Sequence, residues 1–312
     1  MKKGGTTVAD ISITVNGTEF NNPVLTAAGP NVGSDELIRK AIEGGAGGIV
    51  SKTVSVTPAK DPRPTIRKGK YGSLFNCETW SERDVNYFLP SYRYVCSRKV
   101  PLILSIGYSP DDVRHLGKLL EEEIDPRIME FSTHYTGKSL KPLLDVARAL
   151  RDTVSCPIWM KVSPGTPDIE DLAVQASSFV DGFVAINSLG PALDIDIEDP
   201  RPFLGSSYGQ GWMSGPPVLP LALSTVYRIA AVQPKPVIGV GGISCGEDAI
   251  KFFMAGASLV QVCTAALRKG PGIYGKIAEE INSWLDLHGY SSLEDIRGLY
   301  RRNVGSRGMK NG

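Results

Sequence analysis

The chain is short of the features that would place it in a bilayer, on nucleic acid or around a metal. No apolar run approaches the roughly 20 residues that span a membrane. Its 34 basic and 33 acidic side chains leave a net charge of +1. That balance carries no footprint for a nucleic-acid partner, and no membrane partner is expected. Only five cysteines occur, Cys77, Cys96, Cys156, Cys245 and Cys263, with no C-x-x-C pair among them. A zinc site or an iron–sulfur cluster held by this chain is therefore not expected. Free thiols in a reducing compartment are the simpler reading, and the expected location is the cytoplasm. The stretch Met1-Lys2-Lys3-Gly4-Gly5 has no apolar segment behind its lysines, unlike a secretory signal. No short-period repeat or linker divides the 312 residues, so a single domain over 1–312 is expected.

What is present is a rhythm. Ile11–Val15 and Thr18–Phe20 flank Asn16-Gly17, a strong hairpin signal because both turn residues must tolerate positive φ. Eight short runs of β-forming residues follow, at 23–28, 47–53, 101–106, 127–133, 157–163, 182–188, 236–242 and 259–265. Segments of helical periodicity separate them, among them 35–43, 111–123, 140–152 and 169–179. Near-continuous apolar strands joined by helices predict a parallel sheet covered on its outer face. Eight such units predict an α/β fold of the (β/α)8 TIM-barrel type, with a doubly wound sheet as the alternative. Residues 54–100 and 189–216 break the rhythm directly after strands. Both belong on the C-terminal rim, as loops covering a site. Trp80, Tyr87 and Tyr92 read as core or lid packing.

In a barrel, polar residues at strand ends point at the site. These ends carry Ser51-Lys52-Thr53, Ser132-Thr133, Lys161-Val162-Ser163 and Asn187-Ser188. A lysine inside a barrel is expensive without an anionic partner; otherwise it must snorkel to the rim. The last two strands add Gly241-Gly242 and Thr264, near the small-residue segment Ser214-Gly215-Pro216. Backbone N–H groups at these positions form the usual phosphate cradle of barrels. The small residues Ala27-Ala28-Gly29 let a flat ring approach the backbone. The set suits FMN.

Taken in order, Asn22-Pro23-Val24-Leu25, Ser51-Lys52-Thr53-Val54, Lys161-Val162-Ser163-Pro164, Ser214-Gly215-Pro216, Val240-Gly241-Gly242-Ile243 and Ala255–Val262 resemble the dihydroorotate dehydrogenase family over residues 10–285. Leu74–Glu78 with Ser81-Glu82 is similar to the FMN domain of dihydropyrimidine dehydrogenase. The resemblance implies an FMN-dependent oxidoreductase acting on a CH–CH or C=C bond, of the pyrimidine-metabolism type. It implies FMN phosphate on Gly215, Gly241, Gly242, Thr264 and Ala265, with Ala28, Lys52 and Thr53 along the ring. Lys161 would stand at the ring edge where negative charge develops. Asn76, Ser132, Asn187 and Ser188 would hydrogen-bond a small planar substrate. A homodimer is implied, and a separate electron-transfer subunit or soluble acceptor.

The resemblance fails after the fourth strand. The family reads Asn-x-Ser-Cys-Pro-Asn there, with cysteine or serine as base; this chain reads Ser132-Thr133-His134-Tyr135-Thr136-Gly137. Tyr135 or His134 is therefore the expected proton carrier, and a non-standard unsaturated substrate is expected. The alternatives are genuine dihydroorotate oxidation, and a flavin-free phosphate-binding lyase or isomerase using Lys161 as a Schiff-base nucleophile. His115 and His288 read as surface residues.

Overall fold

The computed structural model describes residues 9–132 and 137–308. Strands β1 (Ile13–Val15) and β2 (Thr18–Phe20) form the hairpin. Asn16 and Gly17 hold φ of 50° and 75° in its turn, the left-handed pair that Asn-Gly adopts at low cost. Strands β3 (Val24–Thr26) and β4 (Ile49–Val50) open a barrel, and β5 (Ile66–Lys68) and β6 (Leu74–Asn76) leave it. The barrel continues with β7 (Leu102–Ile106), β8 (Ile128–Ser132), β9 (Ile158–Val162) and β10 (Gly182–Ala185). Strands β11 (Leu189–Ala192) and β12 (Gly211–Ser214) leave again, before β13 (Val237–Val240) and β14 (Leu259–Val262) complete it.

The eight parallel strands run in the order β3-β14-β13-β10-β9-β8-β7-β4. One bridge, Leu25 to Gly48, joins the two ends, with Gly47 N donating to Val24 O at 2.8 Å and Thr26 N to Gly48 O at 3.1 Å. The expected barrel is present. Pro23, Pro101, Pro157 and Pro236 each stand immediately before a strand, where the missing N–H costs least. Their carbonyls still take part, accepting from Val260, Ile49, Met129 and Phe183 of the neighbouring strands at 2.8–3.0 Å. Each proline thus sets the level at which its strand enters the sheet.

Helices α1 (Asp35–Glu43), α2 (Val85–Ser97), α3 (Pro110–Ile124), α4 (Lys141–Arg151) and α5 (Ile169–Ala176) wrap the first half. Helices α6 (Leu219–Val232), α7 (Gly246–Ala255), α8 (Thr264–Lys269) and α9 (Ile273–His288) wrap the second, followed by α10 (Leu293–Ile296) and α11 (Leu299–Gly308). The main core lies between these helices and the outer face of the barrel. A second cluster fills the barrel, built from Leu25, Val50, Ile103, Trp159, Val184 and Ile238 and closed below by Val15 and Phe20 of the hairpin. Trp159 Nε1 donates to Asn16 Oδ1 at 2.9 Å, so the plug is bonded as well as packed.

The two interruptions, read from the sequence as rim loops, also contain strands. They supply β5, β6, β11 and β12, which pair antiparallel in the order β11-β12-β6-β5. Trp212 pairs with Asn76 and Ser214 with Leu74, which ties the two rim segments into one small sheet. Tyr92 is fully buried, while Trp80 packs against Tyr108 with ring centroids 4.5 Å apart and the planes tilted by 31°. His115 and His288 are exposed, as expected.

Candidate active site

Alternation along the strands makes the barrel interior change character with height. On β8, Ile128 faces inward at the lower level, and period two places Glu130 and Ser132 above it on the same side. On β9, Trp159 faces inward below and Lys161 above; on β14, Leu259 below and Gln261 above. The lower layer is hydrocarbon; the upper layer is polar and opens towards the rim sheet.

Buried charge in that layer is paired. Lys161 Nζ lies 3.6 Å from Glu130 Oε1, and Gln261 Nε2 donates to Glu130 Oε2 at 2.8 Å. Lys52, two residues beyond β4, has Nζ 3.1 Å from Glu78 Oε2. Both lysines therefore have the anionic partners that burial demands. Neither snorkels.

The cleft above this layer encloses about 890 Å3, its open mouth included. Of the residues singled out in the sequence, Ala28, Lys52, Thr53 and Lys161 line it. So do Asn76, Ser132, Asn187 and Ser188, and so do Gly215, Gly241, Gly242 and Thr264. Ala265 is buried in the first turn of α8 and does not line it. His134 and Tyr135 lie outside the described residues. The sequence reading passed over four lining or supporting residues: Glu78, Thr79, Gln261 and Cys263. Glu130 was also overlooked as a partner, although its step of two from Ser132 marked it as inward-facing.

Hydrogen bonds fix the polar wall. Asn187 Nδ2 donates to Ser132 Oγ at 3.1 Å, and Asn187 Oδ1 accepts from Ser188 N at 2.9 Å. Asn76 Nδ2 donates to Trp212 O at 3.3 Å across the rim sheet. Thr53 and Ser105 hydroxyls are 2.8 Å apart. On the opposite side, Thr264 Oγ1 donates to Ser214 Oγ at 2.9 Å. Burial pushes the Cys263 thiol up to about 11, against the pull of Lys161 and Lys52.

The residues present fit FMN. Gly215, Gly241 and Gly242 hold φ of 95°, 129° and 82°, a region where side chains are strained. A Cβ on Gly241 would come within 2.9 Å of Ala222 Cβ, and one on Gly242 within 2.8 Å of Leu219 Cβ. Only glycine lets this turn lie against α6 while its backbone borders the cleft. Across the cleft, a Cβ on Gly29 would meet Cys263 Sγ at 2.7 Å, so that wall is already closely packed. The donor set of hydroxyls, two lysines and glycine backbone matches a phosphate and a ring that gains electrons.

Comparison with known proteins agrees. The family model Dihydroorotate dehydrogenase matches residues 127–285. Three relatives named dihydroorotate dehydrogenase B (NAD(+)), catalytic subunit, align along nearly their whole length. The Pyrococcus abyssi protein is 35% identical over 93% of this chain and 98% of its own. The Thermococcus kodakarensis protein is 36% identical over 94% and 99%. The Methanothermobacter thermautotrophicus protein is 32% identical over 90% and 95%. No described helix is long and apolar enough to cross a membrane. Barrel, cleft and these matches together establish that the chain belongs to the dihydroorotate dehydrogenase family, whose members are FMN-dependent oxidoreductases acting on CH–CH groups.

Proposed function

We propose that this chain is the FMN-bearing catalytic subunit of an enzyme that moves a hydride and a proton across two adjacent carbons of a small planar substrate other than dihydroorotate. One observation carries the reading. A single cleft brings Lys161, anchored by Glu130, together with the Asn187–Ser132 pair and the glycine turn at 241–242. The substrate clause rests on the loop after β8, which lacks the family's cysteine and both asparagines.

FMN, when bound, supplies the two-electron acceptor or donor. Gly215, Gly241, Gly242 and Thr264 would hold its phosphate, with Ala28, Lys52 and Thr53 along the ring. Lys161 contributes a fixed positive charge where the ring gains electrons, and Glu130 and Gln261 keep it from turning away. Asn76, Asn187 and Ser188 orient the substrate by donating and accepting amide hydrogen bonds. The proton is carried by Tyr135 at its hydroxyl oxygen or by His134 at a ring nitrogen. Family membership sets aside the flavin-free Schiff-base alternative.

A second reading, dihydroorotate itself, is favoured by the relatives' names. Their designation as catalytic subunits using NAD(+) also supports a separate electron-transfer subunit for this chain. Anaerobic mixing with dihydroorotate separates the two readings. Bleaching of the flavin band within seconds establishes the second and overturns the substrate clause. An unchanged spectrum over minutes supports the first, and enones and unsaturated acids are then screened in the reductive direction.

A further inference from the structure

On the face opposite the active-site cleft, a second concavity of about 1630 Å3, open mouth included, lies where the strands begin. Its walls come from the turn between α6 and β13, the turn between α7 and β14, and the start of α11. Among the described residues, four lining side chains are cationic, Lys235, Arg297, Arg301 and Arg302, and no aspartate or glutamate lines it. In a chain of net charge +1, this excess is a local arrangement.

The bonds these cations make fix their positions without cancelling their charge. Arg297 donates from Nη1 to the buried Ser258 Oγ at 3.0 Å. Arg302 donates to the carbonyls of Arg297 and Asp295 at 2.6 and 3.1 Å, and Lys235 donates to Val180 O. All these acceptors are neutral. Glu294 pairs with Arg297 but does not line the concavity. Arg301 makes no hydrogen bond or ion pair among the described residues. It lies over Gly256, where a Cβ would stand 3.6 Å from Arg301 Cδ and Nη1. Three cations thus line one cavity with donors to spare and no anion among the described residues to meet them: Lys235 and Arg302, held by carbonyls, and Arg301, lying over Gly256.

We infer that this concavity is a binding site for a diphosphate group. The guanidinium fork matches phosphoryl oxygens bidentately, and Lys235 adds a point charge from the barrel floor. A single small anion answers part of this charge; two linked phosphoryl groups answer most of it. Such a ligand joins the start of α11 to the turn before β13, so its occupancy fastens the C-terminal helix to the barrel.

The test uses flavin-saturated protein, so that the glycine cradle of the active site is already filled. Inorganic pyrophosphate and ADP are titrated separately by calorimetry at fixed ionic strength, with sulfate as the matched control. At least one diphosphate is expected to bind at one site per chain, tenfold or more tighter than sulfate. Arg301→Gln and Arg302→Gln are each expected to weaken it at least tenfold, with flavin absorption unchanged in both and Tm unchanged in Arg301→Gln. Binding of ADP alone identifies a nucleotide as the source of the group; binding of pyrophosphate alone identifies the free anion. Failure of both to bind, equal binding of sulfate, or undiminished affinity in both arginine variants overturns the assignment.

Discussion

Lys161 Nζ stands 3.6 Å from Glu130 Oε1 inside the barrel, with side chains only 4% and 0% exposed. Burying two charges is tolerated because each answers the other, and Gln261 holds the second carboxylate oxygen. Removing one partner leaves an ion in a low-dielectric interior, at a cost of roughly 3–5 kcal/mol. Glu130→Gln is therefore expected to lower stability by about that amount, read from the urea midpoint. The double variant Glu130→Leu with Lys161→Met should recover most of the loss, because a hydrophobic pair needs no compensation. A loss below about 1 kcal/mol in Glu130→Gln would show that the pair does not hold this layer together.

The glycine turn gives a second expectation. Gly242 has φ of 82°, and a Cβ there would come within 2.8 Å of Leu219 Cβ and 2.9 Å of Leu219 N. Gly242→Ala must strain its own backbone and push α6 outward, at a cost of about 1–3 kcal/mol. Because the same turn borders the cleft, retained FMN per chain should fall together with Tm. Full flavin content at unchanged Tm would remove this turn from the cofactor site.

How much of this could be read from the residues alone depends on the range of the interactions involved. The eight strands and the helices between them were legible because short runs of β-forming residues, helical periodicity and proline entry points mark them. Helix 35–43 was placed to the residue. The cleft residues were legible because strand order in a barrel converts sequence positions into one rim. The rim sheet was not. Its strands are three or four residues long, and Asn76 meets Trp212 across 136 positions. Such pairing leaves almost no local mark. Glu130 was legible as a polar residue near the end of the fourth strand, but its pairing with Lys161 joins two different strands and leaves no local mark.

Thiol chemistry should follow burial. Burial holds the Cys263 thiol at about 11, so at pH 8 roughly one part in a thousand is thiolate, the form that alkylates. Its folded value lies above the ordinary thiol value of 9.0; reactivity is therefore suppressed below pH 9 and rises as pH climbs through about 11. Cys96, which is exposed, should take iodoacetamide first. Peptide mass spectrometry after brief labelling at pH 8 checks the order. Labelling of Cys263 as fast as Cys96 would mean that burial does not govern that thiol.

The proposed function assigns the proton to Tyr135 or His134, and substitution separates the two. A positioned acid or base typically contributes 10²–10⁴-fold to rate, so one of Tyr135→Phe and His134→Ala should lose turnover on that scale while the other loses far less. The pH profile then identifies the atom. A histidine carrier gives a limb near its reference value of about 6.5, whereas a tyrosine acting as an acid stays competent until about pH 10. Tyrosine suits the reductive direction, because a phenol can give up its proton to a developing carbanion without any lowering of its pKa. It suits oxidation poorly, since a neutral phenol is a weak base. If Tyr135→Phe abolishes reduction and the limb near pH 6.5 is absent, the enzyme is built to saturate a C=C bond. If both variants turn over like the wild type, the proton travels by a group outside this loop, and Glu78, already in the cleft beside Lys52, becomes the residue to substitute next.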